Sequence, residues 1–474
     1  MLKIEPKQLN FYSLLYHRIP ENHILKLINF AISFEFVNKM LEKSYCKGFG
    51  RPAKEPEMML RILLLQYLYN LSDERVIEEL QVNLAYMWFI GINPDDDLPH
   101  PSLLAKFRTL RLKDITLDEI IIEIVRQAVE KGIIKQDNTI AIDTTHIEAN
   151  TTKKVPERVM KHLAKKIFKE AGTAEYEIPD YKAIEDHKEA MEVLESDLFI
   201  EQKGIRSLYD KDARVGRKAK HQDFYGYKAE LMQTDEGIIT SVKVENGAYV
   251  DGTNFRELKE LTENAGITIT EVYGDKAYFR ADIIDILMRE NIEHYIPVSA
   301  SSYRIDEELF SYNKDSDQWF CINGNETIRR KDKTVKKRGK ELKQSRYTFE
   351  RERCRNCPYR EKCIGKSNRI SRMLHVGENS QLFYELSKRS QTEEFARKYK
   401  KRAKIESKNA EMKRFHGLAR ARGHGLLSVS FQTKLTVIAV NLKRISKLIS
   451  PLKPLFSVMT TFFSQSFNKT RFFA

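Results

Sequence analysis

The chain has 474 residues, 41% apolar and 31% charged, with 81 Lys and Arg against 67 Asp and Glu and a net charge of +14. That length allows two or three domains with sizeable cores, and the composition excludes a disordered or fibrous chain. No run approaches the ~18 uninterrupted apolar residues of a spanning helix, and the basic excess suits a polyanion, most commonly nucleic acid. The start, Met1-Leu2-Lys3-Ile4-Glu5-Pro6, lacks the apolar run of a signal peptide, so a cytoplasmic protein without membrane contact is expected.

Residues 1–130 read as a helical N-terminal domain. Leu60, Leu63, Leu64, Tyr67, Leu68 and Leu71 follow one helical face. Ser72 is placed to cap a second helix carrying Val76, Ile77 and Leu80, and Ser102 a third, Leu103 to Leu112, with Lys106, Arg108 and Arg111. Short helices with a basic last member fit a helix-turn-helix reader of DNA and equally a plain helical bundle.

From Thr139 the texture changes. Thr139-Ile140-Ala141-Ile142-Asp143 reads as a buried strand ending on an acid. A charged helical insertion is expected over 151–205. Tyr225 to Val244 then reads as a hairpin about the turn Thr234-Asp235-Glu236-Gly237. A helix follows near 254–264, then a strand from Ile267 leading to Asp275, a helix Ala281 to Glu290, and a strand His294 to Val298. This order describes an α/β domain over 135–300 with a mixed sheet. A cysteine-bearing basic insertion is expected over 301–395, helices over 396–450, and an aromatic tail over 451–474.

Asp143 and Asp275 each close a predicted strand. In α/β sheets ligands gather at strand ends, and two carboxylates there suit a hard cation, although an Asp at a strand end is also a common turn residue. A third acid lies in the helical stretch: Tyr399, Arg402, Glu406 and Lys413 stand at i, i+3, i+7 and i+14. At ~100° per residue they share a stripe about 60° wide, which is not a core face.

The spacing Tyr399-x2-Arg402-x3-Glu406-x6-Lys413 resembles the signature of the DDE-type bacterial insertion-sequence transposases, whose core is ribonuclease-H-like. The stretches Ala141–Asn150 and Val272–Tyr278 resemble that family's two aspartate motifs. Gly226-Tyr227-Lys228, Asp251, Leu418 to Gly423 and Ala439 to Leu442 resemble the segments between and after them. Phe89-Ile90-Gly91 and Pro101 to Arg108 resemble the domain that often precedes this core. The resemblance implies a ribonuclease-H-like mixed sheet behind a helical N-terminal domain, with an insertion before the last catalytic helix. It implies metal-dependent cleavage at insertion-sequence ends and strand transfer into target DNA. Asp143, Asp275 and Glu406 would hold two Mg²⁺ or Mn²⁺ ions, and Tyr399, Arg402 and Lys413 would contact phosphates. Glu148, Asp210, Asp212 and Asp251 rank below those three acids. A homodimer on double-stranded DNA and a nucleoid-associated bacterial protein are the matching expectations. The rivals are an endonuclease of the same fold that does not join strands, and an inactive DNA-binding protein.

Five cysteines without a leader argue against a disulfide framework. Cys354-x2-Cys357-x5-Cys363, with Cys321 upstream, offers four thiolates for a structural Zn²⁺, or four free thiols; Cys46 stands apart. Ile328 to Arg346 holds ten Lys or Arg against two acids, read as a solvated loop or as phosphate contacts led by Lys336, Lys337 and Arg338.

Overall fold

A computed structural model describes residues 12–45, 52–152, 207, 209–219, 222–337, 340–365 and 368–449. The charged stretch expected to be helical falls outside these residues from 153 to 206, as do the tail 451–474, Cys46 and Arg338. The chain forms two compact units, Met1–Thr270 with Ala403–Ala474, and Glu271–Arg402.

In the first unit Pro56 opens the helix Pro56–Leu68, at a position where its missing N–H leaves no bond unmade. The sequence gives this helix one apolar face, yet every residue from Met59 to Leu68 is buried. It is wrapped by helices on several sides, including the helix Leu426–Ile449, which also packs on the helices Ile24–Ala31 and Asp114–Glu130 and on a strand of the sheet. Ser72 caps the helix Asp73–Val82, its hydroxyl accepting from the Arg75 N–H at 3.1 Å. Ser102 does not cap the next helix: it is the first residue of Ser102–Leu110, and its N–H donates to His100 Nδ1 at 3.2 Å. Of the basic side chains there, Arg108 is tied to Asp73 at 2.5 Å, and Arg111 donates to the Ser44 carbonyl.

The strands of this unit are β1 (Asp137–Glu148), β2 (Arg214–Ala219), β3 (Gln222–Thr234), β4 (Ile239–Asn246) and the start of β5 (Thr268–Tyr273). β1, β2 and β4 all pair antiparallel with β3, and β5 lies on the far side of β1. The turn between β3 and β4 is the expected one: Gly237 takes φ +87° and its N–H donates to the Thr234 carbonyl at 2.9 Å. Gly226 is required for a different reason. A Cβ there would stand 2.1 Å from the Ile147 carbonyl oxygen of β1. Lys228, two residues on, pairs with Asp251 at 2.8 Å, which fixes the segment after β4.

β5 continues into the second unit, where Glu271–Tyr273 pair in parallel with β6 (Glu293–Tyr295), and the helix Ala281–Arg289 connects them. The mixed sheet, with helices Phe255–Asn264 and Ala281–Arg289 between its later strands, is the arrangement expected from the element order. The second unit adds a hairpin, β7 (Phe310–Asn313) with β8 (Gln318–Cys321), and a sheet of β9 (Thr327–Lys337), β10 (Lys340–Phe349) and β11 (Met373–Gly377) in the order β11-β10-β9. Trp319, Tyr347, Phe349, Leu374 and Val376 form its small core. The basic run is therefore a β-ribbon with a fixed register, not a loop.

Candidate active site

Asp143 is not at a strand end. β1 runs five residues beyond it to Glu148, because Asp143–Glu148 pair with Leu231–Gly226 of β3. The predicted single helix carrying Tyr399, Arg402, Glu406 and Lys413 is also corrected. A helix Glu393–Tyr399, a 3-10 turn Lys400–Arg402 and a helix Ala403–Phe415 replace it. A 3-10 turn advances 120° per residue, so the 100° stripe does not carry across the break. Only Glu406 and Lys413 keep a common helix, seven residues and two turns apart. Asp143, Glu406 and Lys413 belong to the first unit; Asp275, Tyr399 and Arg402 belong to the second.

In the first unit the helix Ala403–Phe415 packs on β1. Asn409, one turn after Glu406, donates from Nδ2 to Asp143 Oδ2 at 3.0 Å. Asn409 is 8% exposed, and its Oδ1 is buried with no hydrogen-bond partner among the described residues. Lys413, one turn further on, donates to His146 Nδ1 at 3.2 Å, and the His146 ring rests on Phe224 with centroids 5.1 Å apart. Burial, with Lys413 and Lys218 nearby, holds the His146 pKa down at about 4, so the imidazole is neutral and accepts. Burial and Lys218 also push Lys413 down, to about 8, against the pull of Glu148 and Asp143. Asn409 and His146 were missed by sequence reasoning. Their only signal was placement, Asn409 three residues after Glu406 and His146 three after Asp143.

The lower-ranked acids have structural duties. Asp210 and Asp212 accept from the N–H groups of Gly425 and Leu426, at 3.3 and 2.8 Å, where the helix Leu426–Ile449 begins. Glu148 accepts through its backbone from Ala421, at 2.7 Å, and so anchors the segment after the helix Ala403–Phe415.

In the second unit Asp275 lies two residues beyond β5. Its Oδ1 accepts from the Ala277 N–H at 2.8 Å and caps the 3-10 turn Lys276–Tyr278. On β5 itself Glu271 meets Lys398 at 3.2 Å, Lys401 at 3.6 Å and the Tyr273 hydroxyl at 2.8 Å. Burial would raise its pKa, but these partners overcome that and hold it near 2. Tyr399 stacks on Phe395, with centroids 5.9 Å apart.

All four cysteines of the second unit line one small pocket of about 20 Å³, together with Phe310, Phe349, Arg360 and Arg372. They are not joined as disulfides. Burial raises the Cys363 thiol pKa, opposed by Arg372 and reinforced by Cys354, Cys321 and Cys357. Among the described residues no group of three or more His, Cys, Asp or Glu side chains is gathered to hold a metal ion. Asp143 supplies a carboxylate oxygen of the kind a hard cation takes, and in this arrangement its Oδ2 accepts from Asn409. Lys336 lies near the end of β9 and pairs with Glu341 at 3.4 Å. Among the described residues no helix is long and apolar enough to cross a membrane.

Comparison with known protein families gives two matches. Residues 13–110 match the family described as Transposase domain (DUF772), and residues 320–446 match the family described as Transposase DDE domain. Both matches in one chain support a transposase of the DDE-type insertion-sequence class. Transposases of that class generally work with a divalent metal. Among solved structures, a cryo-EM structure of the piggyBac transposase synaptic complex with hairpin DNA matches at 10% identity and a TM-score of 0.33, covering 94% of this chain and 77% of the other.

Proposed function

We propose that this transposase cuts DNA at the ends of an insertion sequence and joins the freed ends to target DNA, with Asp143, Asp275 and Glu406 as its catalytic carboxylates. The observation that carries the reading is the contact of the Glu406 helix with β1, which sets Asn409 on Asp143 and Lys413 on His146. The transposase DDE match spans that helix. Mg²⁺ or Mn²⁺ held by the three acids would neutralise charge on the phosphate and activate the attacking oxygen. The protein's own part is orientation and charge. Asn409 holds the Asp143 carboxylate in one rotamer. Lys413, steadied by neutral His146, offers a cation to a phosphate oxygen, and Tyr399 and Arg402 offer further phosphate contacts. The partner is double-stranded DNA, bound by a homodimer.

The test is metal-dependent cleavage and strand transfer on DNA bearing the element's ends. Wild type is compared with Asp143→Asn, Asp275→Asn and Glu406→Gln, each checked for DNA binding. The reading predicts that each variant binds, yet neither cuts nor joins. Full activity in Glu406→Gln removes that residue from the site. Cutting without joined products in wild type favours the endonuclease rival, and binding without cutting favours an inactive DNA-binding protein.

Four thiols lining one pocket, with Arg360 and Arg372 beside them to offset the charge of four thiolates, also support a structural Zn²⁺. Zinc measured at one equivalent per chain, and lost with Cys354→Ser/Cys357→Ser, is the expected result; a zinc-free, fully folded protein rules it out.

A further inference from the structure

The register of the β9–β10–β11 sheet sorts its charges by face. Opposed residues of an antiparallel pair point to the same side, and alternate residues along a strand point to opposite sides. Arg346 is opposite Lys331 on one flank and His375 on the other; Gln344 is opposite Lys333, and Thr348 opposite Arg329. One face therefore carries Arg329, Lys331, Lys333, Arg346 and His375. The other carries Arg330, Asp332, Lys336, Glu341 and Lys343 beside the core residues Tyr347, Leu374 and Val376.

The two faces differ in how their charge is used. On the core-side face the cations are paired: Arg330 with Asp317 at 2.5 Å and Asp332 at 2.9 Å, Lys336 with Glu341 at 3.4 Å, and Lys343 with Glu378 at 3.4 Å. Both acids of the ribbon, Asp332 and Glu341, fall on this side. On the outer face none of Arg329, Lys331, Lys333 and Arg346 forms an ion pair among the described residues. Burial, and then Lys333, Arg346, Arg369 and Arg372 nearby, hold the His375 pKa below its ordinary value. Lysines on an exposed edge strand commonly guard against edge-to-edge pairing. That duty does not require neutralising one face and leaving the other bare.

We propose that the outer face of the β9–β10 ribbon, through Arg329, Lys331, Lys333 and Arg346, is a docking surface for the backbone of duplex DNA. Cations every second residue recur at about 6.8 Å along β9, matching the rise of about two phosphates on one DNA strand. The site differs from the phosphate contacts expected at Lys336, because Lys336 is on the paired face. The proposal rests on reading this chain as a DNA-acting transposase.

The experiment compares two full-length double variants that lose the same charge, Lys331→Gln/Lys333→Gln and Arg330→Gln/Lys343→Gln. Binding of a short random-sequence DNA duplex is followed by fluorescence anisotropy across a salt series, after thermal unfolding shows that both variants fold. The outer-face variant should lower the slope of log K against log[salt] by about 2 and weaken binding about ten- to a hundredfold at 0.1 M salt. The paired-face variant should stay within about twofold of wild type. Equal slopes in the two variants overturn the proposal, because net charge alone then explains the loss. Wild type failing to bind any duplex would instead defeat the transposase reading on which the proposal rests.

Discussion

Replacing Asn409 by Leu keeps nearly the same side-chain volume and removes one hydrogen bond, the 3.0 Å bond from Nδ2 to Asp143 Oδ2. A bond to a charged group contributes about 1.5–3 kcal/mol. If Asp143 must be held in one rotamer for reaction, that energy comes off the transition state, a loss of about 10- to 150-fold in single-turnover cleavage. Stability should not follow. Asn409 Oδ1 is buried without a partner among the described residues, and removing such a group relieves about 1–3 kcal/mol of desolvation. The two terms oppose each other, so the unfolding midpoint should stay close to that of wild type while the rate falls. The assay is single-turnover cleavage of element-end DNA at saturating metal, with denaturant unfolding and DNA affinity measured in parallel. A cleavage rate within about twofold of wild type would refute a positioning role. A large loss of stability that accounts for the lost rate would show that the bond serves only the fold.

Other consequences are open to direct measurement. Lys434 is fully buried and meets Asp114 and Asp118 at 2.7 Å each, so Lys434→Ala strands two acids and should cost about 3–5 kcal/mol in denaturant unfolding; a cost below ~1 kcal/mol would mean that water reaches the pair. Lys413, depressed to about 8, is largely neutral at pH 9 in the free protein, and a phosphate beside it favours the ammonium. Calorimetry at pH 9 in buffers of different ionisation enthalpy should therefore show proton uptake on binding DNA, absent in Lys413→Arg; equal uptake in both excludes Lys413 as the source. Glu411 would be raised by burial, but Lys408 and Lys443 draw it down to about 2 from 4.5. Its folded pKa is the lower one, so its contribution to stability is full above pH 4.5 and is lost as pH falls from there towards 2. Glu411→Gln should flatten stability across that window, and an unchanged pH profile would show that the ion pair contributes nothing.

Much of this protein is set by local sequence. The β3–β4 hairpin follows from β-rich runs about a turn ending in Gly237, and Ser72 marks a helix start because a hydroxyl can take an orphan N–H. The order of strands and helices was enough for the mixed sheet, and the acidic stretches carried a transposase resemblance that agrees with the two family matches. The tertiary structure decided what depends on partners far along the chain. β1 passes beyond Asp143 because β3 supplies hydrogen bonds as far as Glu148, and no local signal at Asp143 records that. The helix carrying Glu406 begins only at Ala403, after a 3-10 turn, so Tyr399 and Arg402 do not share its angular phase. Asn409 and His146 gained significance only when two segments more than 260 residues apart came into contact. The basic run shows the same division. Composition revealed its charge, whereas the register of β9 on β10 decided which cations are neutralised and which are left facing outward, since a shift of one residue exchanges the two faces.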